Sequence, residues 1–87
     1  MTFEGAIVRE QGVTFGIVVV KESAIRDHST ASNLIASYQP VLGVAPVVLM
    51  AQNYKGVPEY YGRKDIVAFL ANIDFRRIPW KKYTYNA

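Results

Sequence analysis

Residues 13–20, Val-Thr-Phe-Gly-Ile-Val-Val-Val, are apolar at both parities. Successive side chains of an extended chain point to opposite faces, so Phe15, Ile17 and Val19 line one side and Val18 and Val20 the other. Such a strand sits in the middle of a sheet and must be covered on both sides. This requirement restricts the chain to a layered fold and raises the question of what supplies each cover.

The flanking sequence supplies a hairpin. Residues 3–9 and 13–21 read as strands joined at Glu10-Gln11-Gly12, where glycine provides the positive φ of a tight turn. With Gln11 and Gly12 as loop residues, Val8 pairs with Phe15, Ala6 with Ile17, Ile7 with Gly16 and Gly5 with Val18. Asp27-His28-Ser29-Thr30 then reads as a helix start, with Ser29 or Thr30 as the cap. Ala31, Leu34, Ile35 and Tyr38 follow the i, i+3, i+4, i+7 spacing of one helical stripe, and Pro40 is expected to end the helix.

Residues 47–51 form a continuous apolar run, the mark of a buried strand. After the turn at Asn53 to Gly56, residues 57–61 return antiparallel, and Pro58 assigns that strand to a sheet edge. Residues 63–73 form an amphipathic helix with Asp65 in its first turn, where the helix dipole favours negative charge. Its apolar stripe is Ile66, Phe69, Leu70 and Ile73, widened by Val67. Residues 78–85 form either a fifth strand or a draped tail. The expected fold class is therefore α+β in one domain, residues 1–87: a four- to five-stranded, mostly antiparallel sheet with two helices, in the order β-β-α-β-β-α-(β).

A proline ahead of a buried strand, followed by a hairpin and a helix, resembles the closing half of a thioredoxin-like domain. The resemblance covers less than half the chain. It implies a thioredoxin-like shape without redox chemistry, since the sequence holds no cysteine.

Composition narrows the function classes. At 87 residues the chain buries only about 60–65% of its unfolded surface, yet it is 51% hydrophobic and 13% aromatic. Disorder is excluded by that apolar content. Absence of cysteine excludes disulfides, thiolate metal sites and a cysteine nucleophile. No signal peptide is visible at the start, and the longest apolar run, residues 42–51, is far short of the roughly 20 residues that span a bilayer. A cytoplasmic protein with no membrane association, no metal and no cofactor is expected.

Catalytic inventory is poor. His28 is the single histidine, and its sequence neighbours Asp27 and Ser29 cannot by themselves form a nucleophile–base–orienter geometry, because adjacent side chains diverge. Glu4, Glu10, Glu22 and Asp27 stand at element ends, where charge normally serves solvation. No glycine-rich phosphate loop is present.

One constellation has the composition of a binding surface. The net charge of +3 divides into −1 over residues 1–54 and +4 over residues 55–87. Arg76, Arg77, Trp80, Lys81, Lys82, Tyr83 and Tyr85 interleave cations with flat rings, and Arg63 and Lys64 are expected to extend the surface. Strand alternation places Lys81, Tyr83 and Tyr85 on one face, with Trp80, Lys82 and Thr84 on the other. Such a surface stacks on single-stranded bases while neutralising phosphates. Its bland counterpart is aromatics packed on the sheet with lysines reaching into water.

Two helices on one sheet face would leave the doubly apolar strand needing a second chain. The leading expectation is thus a non-enzymatic, self-associating interaction domain, a two-fold dimer, with Val18, Val20, Tyr54, Tyr60 and Tyr61 as the candidate interface. The rival arrangement puts one helix on each face and needs no partner. Nucleic-acid binding through the C-terminal segment is the first alternative function. A small ligand-binding fold is the second.

Overall fold

The computed structural model describes residues 2–10 and 12–84. Its elements are β1 (Thr2–Glu10), β2 (Val13–Val19), a short helix α1 (Glu22–Arg26), α2 (His28–Leu42), β3 (Val47–Gln52), β4 (Pro58–Tyr61), α3 (Lys64–Ala71), a 3₁₀ turn (Phe75–Arg77) and β5 (Lys81–Thr84). The strands form one mixed sheet in the order β4-β3-β2-β1-β5. All neighbours are antiparallel except β2 and β3, which are parallel.

The β1–β2 register is the one that alternation requires: Val8 faces Phe15, Ala6 faces Ile17, Ile7 faces Gly16 and Gly5 faces Val18. Gly12 has a φ of 79°, whereas the other proposed loop residue, Gln11, lies outside the described residues. Pro58 opens β4, which is an edge strand as its missing N–H demands. The C-terminal segment contributes a fifth strand, with Phe3 opposite Tyr83 and Gly5 opposite Lys81.

Both ends of α2 depart from the sequence reading. Its cap is Asp27, whose carboxylate accepts the Thr30 N–H at 3.3 Å and also the Thr30 hydroxyl proton. Those bonds hold the Asp27 carboxyl below its ordinary range. Asp27 is the extended residue ahead of the first turn, so it fills the role assigned to Ser29 or Thr30. At the other end Pro40 does not stop the helix, which runs on to Leu42 and ends at Gly43, with a φ of 75°. Avoidance of helix ahead of proline is a bias, and here packing overrides it. Leu42 is buried directly over Gly16, where a β-carbon would come within 2.7 Å of its Cδ1.

The two main helices lie on opposite faces, which corrects the expectation of a single covered face. One layer joins Phe3, Val18, Val47 and Leu49 of the sheet to Ala31 and Leu42 of α2. The other joins Ala6, Phe15, Ile17, Val48 and Met50 to Ile66 and Leu70 of α3, with Ile78. The cause is topological. Parallel strands need a crossover, and the α1–α2 crossover covers one face; the β3–β4 hairpin then delivers the chain to α3 on the other. Val18 is 0% exposed and Val20 is half-buried in the α2 layer, so the chain itself covers both flanks of β2. Val18 is therefore withdrawn as an interface residue. Among the described residues, no helix is long and apolar enough to cross a membrane.

Candidate functional site

The basic-aromatic segment does not form one surface. Trp80 packs against the α3 layer, and its Nε1–H donates to the Phe75 carbonyl at 2.8 Å. Tyr83 faces the α2 side, stacked on Phe3 with centroids 5.2 Å apart, while the Lys81 ammonium lies 5.3 Å over its ring. Arg76 is held by Asp74 through several bonds, the shortest at 2.8 Å. Arg63 is likewise clamped by Asp65, from Nε and Nη2, each at 2.8 Å. Both cations are engaged by carboxylates two residues away. Arg63 and Lys64 stand at the start of α3, and Arg76 and Arg77 lie beyond its far end, past a helix about 12 Å long. Lys82 stands opposite Glu4 in the ladder, and Tyr85 lies outside the described residues.

The tyrosines proposed as an interface also separate. Tyr54 is 90% exposed in the β3–β4 turn, with the Lys55 ammonium 5.6 Å from its ring. Tyr60 turns to the α3 layer and Tyr61 to the α2 layer, as neighbouring strand positions must.

What the fold does assemble is a cleft of roughly 780 Å³ at the β4 edge. Strand β4 ends at Tyr61, opposite Leu49, so Pro46, Val47 and Val48 run past it. The chain turns away at Gly62, with φ 153°, where a β-carbon would stand 3.0 Å from Val48 Cγ2. The space beside this turn is lined by His28, Ser32 and Ile35 of α2, Pro46 and Val47, Tyr60 and Tyr61, and the outer side of α3.

His28 and Tyr61, 33 positions apart, meet here through Nδ1 and the phenol oxygen, with their rings edge to face at 5.8 Å. On the neighbouring wall the Tyr60 hydroxyl is buried without a hydrogen-bond partner among the described residues, and burial raises its pKa. A salt bridge from Arg26 to Glu59, at 2.8 Å, ties α1 to β4 just behind the site. Sequence reasoning weighed His28 only against its own neighbours and placed Tyr60 and Tyr61 in an interface, so the cleft was missed. Its one readable signal was the aromatic pair ahead of Gly62, where a strand meets a helix start.

Among the described residues, no three His, Cys, Asp or Glu side chains gather where a metal ion could be held. No protein-family model matches this chain, and neither a curated protein nor a solved structure is detectably similar to it.

Proposed function

We propose that this chain is a non-enzymatic binding domain, working in the cytoplasm, that takes a small ligand in the cleft between α2, β4 and α3. The observation that supports this reading is the convergence of His28, Ser32, Tyr60, Tyr61, Arg63 and Lys64 on a recess of ligand size whose remaining side chains are apolar. Apolar walls with a few placed polar groups suit capture and orientation. The His28–Tyr61 contact provides a fixed polar anchor at one wall.

Self-association through the β2 face loses its support once α2 covers Val18 within one chain. Nucleic-acid binding by the C-terminal segment keeps only a reduced set of groups, chiefly Arg77, Lys81 and Lys82, since Tyr83 is stacked on Phe3.

The test uses 8-anilinonaphthalene-1-sulfonate as the probe. Saturable fluorescence enhancement is expected with the native protein. Ala68→Trp, which fills the cleft from an exposed helical position, is expected to weaken binding at least tenfold while the thermal midpoint stays within a few degrees. Undiminished dye binding by the folded Ala68→Trp variant overturns the assignment of the cleft.

A further inference from the structure

We infer that the cleft is selective for a ligand carrying an anionic head on an apolar body, with Lys64 as the residue that sets this preference. The inference rests on the reading of the cleft as a ligand site. It is carried by the difference between groups already engaged and groups left unmet.

Arg63 gives its Nε–Nη2 edge to Asp65, which offsets its charge locally. The histidine is occupied with Tyr61. Lys64 lines the cleft and, among the described residues, has no carboxylate within salt-bridge distance, and the lining includes no Asp or Glu. The Tyr60 hydroxyl also has no partner among the described residues, but it is buried, so the ammonium is the group an incoming head meets. An accessible ammonium, with no acidic group on the walls, complements an acceptor-rich anion.

The rest of the ligand is defined by α3. Lys64, Val67, Ala68 and Ala71 follow the i, i+3, i+4, i+7 spacing and line the cleft together, while Ile66 and Leu70 face the core. Beyond the ammonium, that face offers small apolar side chains over about 10 Å of helix. Ile35, Pro46 and Val47 form the facing apolar wall. A head near Lys64 would leave its body between these walls, and the shared chemistry is that of a carboxylate or a phosphate monoester on an aliphatic or aromatic group.

The experiment is an amide-shift titration of the native protein with hexanoate, hexyl phosphate, 1-hexanol, acetate and inorganic phosphate. Hexanoate or hexyl phosphate is expected to bind at least tenfold more tightly than 1-hexanol, and at least tenfold more tightly than the bare anion with the same head. The order of the two hexyl anions identifies the head. Lys64→Gln should bring the hexyl anions to the affinity of 1-hexanol and leave 1-hexanol unchanged. Equal binding of 1-hexanol and both hexyl anions in the native protein overturns the anionic preference alone, as does a preference that survives in Lys64→Gln. Equal binding of bare and hexyl anions overturns the apolar body. If none of the probes shifts the lining residues, the ligand-site reading falls with the inference.

Discussion

The C-terminal segment and the β4-edge cleft invite opposite judgements before and after folding. The first is contiguous in sequence and rich in cations and rings, yet folding uses those groups internally: Trp80 on Phe75, Arg76 on Asp74, Tyr83 on Phe3. The second has no sequence signature beyond the Tyr60-Tyr61 pair, since its walls come from α2, β3, β4 and α3. Yet it keeps the Lys64 ammonium without a carboxylate partner among the described residues. A side chain's availability depends on what its neighbours have already taken from it, and adjacency in sequence often supplies those neighbours.

Three perturbations would break or sharpen this contrast. The largest effect is expected from Trp80→Ala, which removes a large, partly buried ring packed on the α3 layer and its hydrogen bond. A loss of about 3 kcal/mol in denaturant-monitored unfolding is expected. A cost near zero would return Trp80 to the status of a free stacking ring. Next comes Gly62→Ala, which puts a β-carbon at a φ disfavoured for L-residues and against Val48. About 2 kcal/mol of destabilisation is expected, together with weaker dye binding in the cleft. Unchanged stability and dye affinity would detach the turn from the site.

The smallest effect concerns acid. Hydrogen bonds from the Arg76 guanidinium, then its backbone N–H, hold the Asp74 carboxyl at about 2, below the ordinary 3.8. Because the folded value is the lower one, the contribution is present above the unfolded value and disappears as pH falls through the folded one. Amide shifts of Phe75, Arg76 and Arg77 should therefore titrate near pH 2, and Asp74→Asn should abolish that step. An Asp74 that titrates near 3.8 would mean that Arg76 is free to meet a phosphate.

Much of the fold was legible in the residues. Alternation around Gly12 gave the hairpin register, and Pro58 gave an edge strand, because both act through local geometry. The stripes Ala31-Leu34-Ile35-Tyr38 and Ile66-Leu70 were readable as helix faces, but not which side of the sheet each would cover. That choice follows from the parallel pairing of β2 with β3, a contact between distant segments with no local mark. Pro40 misled because its cost depends on what holds the last helical turn, and the burial of Leu42 over Gly16 is a tertiary event. The cleft was the least legible part, since His28 acquires Tyr61 only when α2 and β4 are brought together.

The pairing of Thr2 with Thr84 has a practical corollary. Opposed residues of an antiparallel ladder stand about 5 Å apart, so the first and last described positions are neighbours in space. The unit is therefore suited to circular permutation, with a short linker joining those positions and new termini opened at the exposed Tyr54-Lys55-Gly56 bend. By the same geometry it could be grafted into a host loop without prising that loop apart, on the side of the sheet remote from the cleft.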